Sequence, residues 1–395
     1  MKILAIETSC DDTGISILEA SGDKNPNFCV LSNTIASQIK VHQKYGGVYP
    51  MMAKREHQRN LLPALIKALE ESKLLKISNP KPQNLKFNQS QKLKTLNFIL
   101  EREPELFKKL LLFFKKYEKP DIDLISITNG PGLEPCLWAG VNFAKALSYF
   151  WDIPIVPVNH IESHILVNFL DKPVDLSTGP AIALVVSGGH TQIILIKKIG
   201  SYKILGETRD DAAGECFDKC AKILGLGYPG GPIISNLAKK SALGPTSPKL
   251  PRPMINTKDY DFSFSGLKTA VLYSWQKIKK DPVFHSSEKN AQQQTIANMA
   301  GEIQQAIIDV LIKKTIKAAK DYNAKTIILG GGVSANTELR RQFLKNFENV
   351  IFPKPELSTD NGLMTAVTGY FDRKKKIAPR KVATIKANAN LRIGQ

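Results

Sequence analysis

The sequence contains one strand–turn–strand pattern twice, and this repetition restricts the fold more than any other feature. Residues 2–8 (KILAIET) and 14–19 (GISILE) predict two short strands around a polar turn. The segment 181–198 (AIALVVSGGHTQIILIKK) predicts a second such pair around a glycine turn. Because each pair continues into alternating strands and helices, we expect a duplicated α/β domain with a cleft between the copies. Open α/β sheets bind ligands in such a crevice, beyond their strand ends.

This two-lobed arrangement resembles the actin/sugar-kinase/Hsp70 superfamily, whose lobes are ribonuclease-H-like. We expect a first actin-like lobe over 1–170 with a Lys-rich insertion at about 76–119, a second lobe over 171–371 with the nucleotide- and metal-site loops, and a basic tail over 372–395. Apolar residues at helical spacing predict helices over 50–74, 139–150 and 289–322. The insertion predicts an amphipathic helix or hairpin.

Composition narrows the class of protein. The sequence has no uncharged apolar run of 18 residues, so we expect no membrane span, and its first residues lack the apolar stretch of a signal peptide. Five scattered cysteines suit a reducing compartment, so we expect a cytoplasmic protein. Cys216 and Cys220 lie four residues apart without a second pair, and we interpret them as core thiols.

The net charge of +19 is concentrated in two segments. Residues 76–119 carry eleven Lys or Arg and four acidic residues, and residues 372–395 carry eight and one, so each segment has a net charge of +7. Two such clusters favour a polyanionic partner, most simply a nucleic acid whose phosphates they contact. The alternatives are that the insertion docks a protein partner and that the tail keeps the chain soluble.

A metal site is indicated by His160 and His164, which lie on one face of a predicted helix directly after a strand. Two ordinary helix histidines are the alternative. Asp360 is the best candidate for a third ligand, although it could equally be the N-cap of the helix that follows. Two histidines and one carboxylate with open positions suit Fe(II) or Zn.

Three glycine turns indicate a nucleotide site. They are residues 185–191, 228–232 and 330–336, and none is a P-loop or a dinucleotide turn. Glycines at strand ends let a ligand approach backbone N–H groups closely. In the acidic segment 210–219, Asp218 could bind a ribose, or the segment could be an exposed helix face with ion pairs.

Ten motifs in order resemble the tRNA N6-adenosine threonylcarbamoyltransferase family (TsaD type, formerly described as glycoproteases or O-sialoglycoprotein endopeptidases). They are IETSCDDTGISI, SQIKVHQKYGGVYP, ITNGPGL, VNHIESH, LVVSGGHTQ, DDAAGECFDK, YPGGP, DFSFSGLKT, LGGGVSAN and STDNG. They cover nearly the whole chain outside 76–119 and the tail. The resemblance implies an acyltransferase. It moves the threonylcarbamoyl group from threonylcarbamoyl-adenylate to the exocyclic amine of the adenosine 3′ of the anticodon, in tRNAs that read codons beginning with A.

The resemblance also implies roles for individual residues. The metal ligands, for one divalent ion with Fe(II) preferred over Zn, would be His160, His164 and Asp360. The adenylate would be cradled by the backbone and side chains of Val185, Val186, Ser187, Gly188 and Gly189, with Asp218, Gly231 and Asn336. Asp11 and Asp12 form the family's acidic turn and are candidates for a catalytic role. The implied partners are tRNA with a TsaB-like paralogue and a TsaE-like ATPase, or a homodimer.

Two other functions are alternatives for a chain with this sequence. A metallopeptidase would need a general base near the metal, and Glu162 points away from the face that carries His160 and His164. A noncatalytic scaffold is the second alternative, since duplicated folds of this kind have inactive paralogues. Such a paralogue would be expected to lack one or more of the three candidate ligands, and all three are present.

Overall fold

The computed structural model describes residues 1–23, 26–78, 88–171, 179–242, 244 and 248–394, with side chains described for all of these except 88–91. Two five-stranded sheets form its centre. The strands of the first sheet are Lys2–Glu7 (β1), Asp12–Ser21 (β2), Asn27–Ser37 (β3), Leu124–Gly130 (β4) and Ile155–Asn159 (β5). Those of the second are Ala181–Val186 (β6), Thr191–Lys198 (β7), Ser201–Glu207 (β8), Thr326–Gly330 (β9) and Val350–Ile351 (β10). Within the described ranges, no helix is long and apolar enough to cross a membrane.

The two sheets have the same topology. The strand orders are β3-β2-β1-β4-β5 and β8-β7-β6-β9-β10. In each sheet the first three strands are antiparallel, and the last two run parallel to the first. This confirms the predicted duplicated α/β fold of the actin/sugar-kinase/Hsp70 type. Sequence analysis does not predict β3, an edge strand in which polar residues interrupt every apolar run.

Thirteen α-helices surround the sheets in the described part of the chain. They are Ile39–His42 (α1), Pro50–Glu71 (α2), Asn88–Ile99 (α3), Pro104–Lys116 (α4), Glu134–Trp151 (α5), His160–Leu166 (α6), Ala213–Ile223 (α7), Gly230–Ala238 (α8), Ser265–Lys280 (α9), Pro282–Ser286 (α10), Lys289–Asp321 (α11), Thr337–Asn346 (α12) and Gly362–Phe371 (α13). The helices predicted over 50–74, 139–150 and 289–322 correspond to α2, α5 and α11. These three predictions are confirmed. The apolar spacing indicated the helices correctly because the long apolar face of each one packs on a sheet or a neighbouring helix.

The two lobes exchange one helix each. The apolar side of α6, with Ile161 and Ile165, packs on the second sheet although α6 directly follows β5 of the first. In return α13, with Met364 and Val367, packs on the first sheet. The prediction that the second lobe extends over 171–371 therefore differs from the structure at α13. Gly330 permits the close contact with α6, because a Cβ on this residue would lie 2.5 Å from the carbonyl oxygen of His164.

The Lys-rich insertion contributes to the core. Its residues 79–87 lie outside the described residues, and the part that follows contains α3 and α4, which form a helical pair. Leu100 and Phe113 are buried in the same cluster as strands of the first sheet. Phe114 stacks on Phe150 of α5, with ring centroids 3.8 Å apart. The lysines of α3 and α4 whose side chains the structure describes are exposed, on the outer side of a packed element.

The basic tail connects the lobes. Ile377 pairs with the edge strand β5, Val382 is buried in the first lobe, and Ile393 is buried against the second sheet. Lys374 and Lys376 line a cavity of about 590 Å³ beside Met1 and Asp123, where β1 and β4 begin. This is the edge of the first sheet opposite to the strand ends that face the cleft. These two lysines therefore lie away from the cleft, and the predicted phosphate contacts of the tail stay a prediction.

Candidate metal and nucleotide site

The three predicted metal ligands come together where the exchanged helices begin. The side chain of Asn159 accepts hydrogen bonds from the backbone N–H groups of Ile161 and Glu162, at 2.9 and 3.1 Å, and so starts α6 directly after β5. This cap places His160 and His164 on one buried face, 5% and 1% exposed.

Asp360 approaches the histidines from the start of α13. The alternative role predicted for Asp360, the N-cap of this helix, is wrong. Asn361 is the cap, because its side chain accepts a hydrogen bond from the backbone N–H of Met364 at 3.1 Å. The Asp360 carboxylate is therefore free to face the cleft.

The geometry of these three side chains fits one metal ion. Asp360 Oδ1 lies 3.7 Å from His160 Nε2 and 3.2 Å from His164 Nε2, and the three ligand atoms lie within 4.8 Å of one another. Among the described residues, Nδ1 of His164 is buried without a hydrogen-bond partner, and its Nε2 faces Asp360 without a well-directed hydrogen bond. Unsatisfied buried nitrogens beside a carboxylate are explained by a bound cation. Three protein ligands also leave coordination positions open, as in catalytic rather than structural sites.

A second set of residues orients His160. Its Nδ1 lies 3.1 Å from Ser9 Oγ and 3.5 Å from Glu7 Oε2, which leaves Nε2 for the metal. The fully buried Glu7 also accepts hydrogen bonds from the Ser9 N–H at 2.6 Å and from the hydroxyls of Thr128 and Thr365. Sequence analysis missed Glu7 and Ser9. The available signal is a run of polar residues that ends an apolar strand.

The charges of the site are strongly coupled. Burial lowers the pKa of His160, but Asp360 and Glu7 outweigh it and raise this pKa to about 9. Burial raises the pKa of Asp360, but His160 and His164 outweigh it, so this pKa lies well below its usual range. Burial lowers the pKa of His164. Asp360 and Glu7 thus favour positive charge at this site, which is the charge that a bound cation would supply.

His190 is a further histidine of this site that sequence analysis did not single out. Its ring centroid lies 6.2 Å from that of His160, and burial together with the charge of His160 lowers its pKa to about 4. The backbone N–H of His190 donates to Ser187 Oγ at 3.1 Å, and the backbone carbonyl of His190 accepts from the backbone N–H of Ser187 at 2.8 Å. A neutral imidazole is thereby fixed between the metal ligands and the glycine turn.

The glycine turn between β6 and β7 is open toward the cleft. A Cβ on Gly188 or Gly189 would meet no atom within 4 Å, so the protein's own packing does not require glycine there. Backbone N–H groups in such an open turn are accessible to a ligand. The prediction that the side chains of Val185 and Val186 help to hold the adenylate does not agree with the structure. Both side chains are fully buried, one on each face of the sheet. Only the backbone of these valines could reach an adenylate.

Asp218 and Gly231 lie where α8 begins. Asp218 Oδ1 accepts a hydrogen bond from the backbone N–H of Gly230 at 2.7 Å, so one of its oxygens already holds the first turn of α8. Burial raises the pKa of Asp218. Gly231 is open, since a Cβ there would meet only Phe217, at 4.0 Å.

Asn336 has a structural role that the prediction did not include. Its side-chain oxygen caps α12 by accepting from the N–H groups of Glu338 and Leu339, both at 3.0 Å. Its side-chain nitrogen donates to Gln304 Oε1 at 2.8 Å. One N–H of the amide is left for a ligand.

Asp11 and Asp12 face the second lobe across the cleft. Burial raises the pKa of Asp11, and burial together with Asp11 raises that of Asp12 to about 7. One side-chain oxygen of Asp12 is buried and has no hydrogen-bond partner in the part of the chain that the structure describes. Asp11 is close enough to influence Asp218 and Tyr228 of the second lobe. The acidic turn therefore lies close to the nucleotide turns, and the charge of Asp360 also contributes to the raised pKa values of Asp11 and Asp12.

Glu162 is not placed to act as a metallopeptidase base. It is buried, and burial together with Asp372 raises its pKa to about 7. Its surroundings, Asp372, Tyr202 and Lys375, lie away from the ligand face of α6. Cys216 and Cys220 are fully buried in the core of the second lobe, as predicted.

The fold and the site together define a two-lobed actin-like protein with a candidate mononuclear metal centre and open glycine turns at its cleft. The family model for TsaD, tRNA N6-adenosine threonylcarbamoyltransferase, matches residues 29–78 and 102–367. The chain belongs to this family. The unmatched residues 79–101 lie inside the predicted insertion, whereas 102–119 follow the family pattern.

Individual relatives agree with the family match. A tRNA N6-adenosine threonylcarbamoyltransferase of Persephonella marina is 42% identical over 94% of this chain and 90% of its own length. One of Thermosipho africanus is 41% identical over 100% of both chains. Among solved structures, component A of the Acidaminococcus fermentans (R)-2-hydroxyglutaryl-CoA dehydratase has 12% identity and a TM-score of 0.47, over 97% of this chain and 100% of that chain.

Proposed function

We propose that the cleft carries out the family's reaction, transfer of a threonylcarbamoyl group from its adenylate to the exocyclic amine of the adenosine 3′ of the anticodon in tRNA. The observation that carries this proposal is the meeting of His160, His164 and Asp360 beside an open glycine turn. An acyl-transfer site needs an electrophilic centre close to groups that hold the leaving nucleotide. Both parts lie at the same end of the two sheets.

The residues of the chain have separate tasks in this proposal. Ser187, Gly188 and Gly189 present backbone groups to the adenylate, with the second oxygen of Asp218 and the free N–H of Asn336 available for polar contacts. Gly231 leaves room beside them. His160, His164 and Asp360 would hold the metal, which supplies Lewis acidity toward the donor's carbonyl. Glu7 and Ser9 keep the His160 ring oriented.

The acidic turn supplies the candidates for proton transfer. Asp12 is the stronger candidate for a base, because its raised pKa of about 7 lies near neutral pH. The reacting amine loses a proton as the new C–N bond forms and the bond to AMP breaks. A carboxylate at the rim of the cleft can accept that proton.

We further propose one divalent ion per chain, Fe(II) in preference to Zn, and an active assembly with a TsaB-like paralogue and a TsaE-like ATPase, or a homodimer. The donor set of two imidazoles and one carboxylate with open positions supports either metal. Elemental analysis of protein purified without oxygen distinguishes the metals. Light scattering of the chain alone and with both partners distinguishes the assemblies.

The reaction is tested by mass spectrometry of anticodon-loop nucleosides after tRNA is incubated with this protein, threonylcarbamoyl-adenylate and its partners. The wild-type protein should produce N6-threonylcarbamoyladenosine, whereas His160→Ala should lose bound metal and nearly all transfer while staying folded. His285→Ala, an exposed histidine outside the cleft, is the matched control. Full metal content with full activity in His160→Ala would contradict the proposal. Release of peptides from a glycoprotein, abolished by a chelator, would support the peptidase alternative instead.

A further inference from the structure

The rim of the cleft carries an exposed aromatic pair that the proposed chemistry does not use. Tyr45 and Tyr49 are each 55% exposed, and their rings stack with centroids 6.2 Å apart at an interplanar angle of 29°. They belong to residues 39–49, here called the rim segment, which connects β3 to α2. Exposed tyrosines with one free face are typical binding groups for flat ligands.

The rim segment is held firmly beneath these rings. His42 is fully buried, and its Nδ1 accepts a hydrogen bond from the backbone N–H of Tyr49 at 3.4 Å. Its Nε2 therefore carries the proton and donates to Gln38 Oε1 at 3.1 Å. The Gln38 amide in turn donates to the carbonyl of Ala53 at 3.3 Å. Binding to a surface that is already ordered costs little conformational entropy.

The rim segment lies at the mouth of the candidate site. The Gln43 side chain donates across the cleft to the backbone carbonyl of Tyr228 at 2.9 Å, next to the turn that starts α8. A Cβ on Gly46 would lie 3.8 Å from Lys222 Nζ of the second lobe. Gln38 alone separates the segment from Ser37, the last residue of β3, which pairs with Asp12. A molecule entering between the lobes therefore passes the two tyrosines.

The charge around the pair indicates what it binds. Lys44 adjoins Tyr45 in the chain, and Lys222 Nζ lies near Gly46 of the rim segment. Lys40, Lys44, Arg55 and Lys222 are exposed, and none of them forms an ion pair among the residues that the structure describes. Protein interfaces are depleted in lysine, so an unneutralised positive rim favours a polyanion over a protein. Unpaired RNA bases stack on aromatic side chains, while the adjoining phosphates bind Lys and Arg.

We propose that Tyr45 and Tyr49 form a stacking surface for an unpaired base of the tRNA anticodon loop, and that Lys40 and Lys44 contact the adjoining phosphates. This inference rests on the proposed function and assigns to the rim segment the positioning of the RNA acceptor. The stacked base is a neighbour of the reacting adenosine, which itself must enter the cleft. The surface holds the loop while the target base is turned inward.

The test compares Tyr45→Ala and Tyr49→Ala with Tyr45→Phe and Tyr49→Phe in the complete transfer reaction. Each alanine variant that loses a stacked base should raise the KM for tRNA about 5- to 150-fold. The phenylalanine variants keep the ring and should match the wild type. The KM for threonylcarbamoyl-adenylate and the metal content should not change, since both belong to the inner cleft. A double alanine variant with the wild-type KM for tRNA would overturn the proposal.

Salt dependence tests the phosphate contacts. Lys40→Gln with Lys44→Gln should reduce the slope of log affinity for tRNA against log salt by about 1.4 to 1.8. Lys277→Gln with Lys280→Gln removes the same charge at the exposed end of α9 in the second lobe, outside the rim segment and both charged segments, and should leave the slope unchanged. Equal slopes for the two double variants would contradict the assignment of phosphates to the rim segment.

Two further outcomes are distinguishable. If the wild-type protein makes no modified nucleoside, the proposed function fails before the tyrosines are tested. If the tyrosine variants keep tRNA affinity but lose binding to a partner subunit, the surface is a protein interface and the RNA proposal is overturned. A 2-aminopurine in the anticodon loop gives a direct signal, because stacking on tyrosine quenches its fluorescence in the wild type but not in the double alanine variant.

Discussion

Single residues decide the chemistry, and Glu7 orients a candidate metal ligand without being a ligand itself. Its buried carboxylate faces Nδ1 of His160 at 3.5 Å. Glu7→Gln should weaken metal affinity about 10- to 100-fold, because such outer partners fix the ligand ring and raise its basicity. Chelator competition measures this. The control is Glu162→Gln. Glu162 is a buried carboxylate on α6, the helix of His160 and His164, but it does not contact the histidines, so this variant should keep the wild-type metal affinity. An equal loss of affinity in both variants would refute a specific role for Glu7.

Asp12 should make stability depend on pH. Its pKa in the folded protein is about 7, well above the value of 3.8 in an unfolded chain. Between pH 3.8 and pH 7 the Asp12 carboxyl is ionised in the unfolded chain but protonated in the folded protein. The free energy of unfolding therefore falls as pH rises through this range, and the loss of stability is complete above pH 7. Asp12→Asn should therefore stabilise the protein by about 1–2 kcal/mol at pH 8, allowing for partial exposure, and hardly at pH 4.

Urea unfolding at both pH values measures the effect of Asp12→Asn. The exposed Glu348→Gln is the control and should change stability equally little at either pH. A gain for Asp12→Asn that is the same at pH 4 and pH 8 would show that burial of this charge is not its cause.

A site residue could be predicted from the sequence when its partners lie close to it along the chain. His160 and His164 are four residues apart on one helix, so their spacing alone indicates a shared face. Asp360 needed the assumption of a cleft between two halves. Glu7 orients His160 from 153 residues away in the chain, which no local pattern shows. Asn336 was predicted for the ligand, and its capping of α12 appears only in the folded chain.

At the scale of elements, the insertion should behave as core rather than as an appended arm. Phe113 of α4 is 4% exposed and packs against Trp151 and Tyr117, with ring centroids 6.2 and 5.1 Å away. Phe113→Ala should cost about 3–5 kcal/mol of unfolding free energy. Phe98→Ala, on the same insertion but 74% exposed, should change it by less than about 0.5 kcal/mol. Similar values for both would mean that the pair α3–α4 is not part of the core.

Helices and strands with a clear apolar period could be predicted from the sequence. The sheet or helix on which each of them packs could not. The strand–turn–strand repeats predicted the first two strands of each sheet, because both turns stand between runs of apolar residues. Nothing in HIESHIL indicates that α6 leaves the sheet it follows and packs on the other one. That choice depends on the shape of the complete interface between the lobes.

At the scale of the whole molecule, the tail should stabilise the joined lobes. Ile393 is buried against the second sheet, while Val382 anchors the same segment in the first. Ile393→Ala should lower the unfolding free energy by about 2–4 kcal/mol. Calorimetry should still show one transition, because the lobes share their helices. The exposed Leu344→Ala is the control. Two separate transitions in the wild type would contradict this coupling.

The helix exchange has a consequence for how such a protein can be divided. A lobe released from its neighbour would lack the helix that covers one face of its sheet, as in a domain-swapped dimer separated into single subunits. Two fragments made separately should each be incomplete and should recover their structure by complementing one another. Joining them in one polypeptide replaces that bimolecular encounter by an intramolecular one, so assembly of the cleft no longer depends on protein concentration.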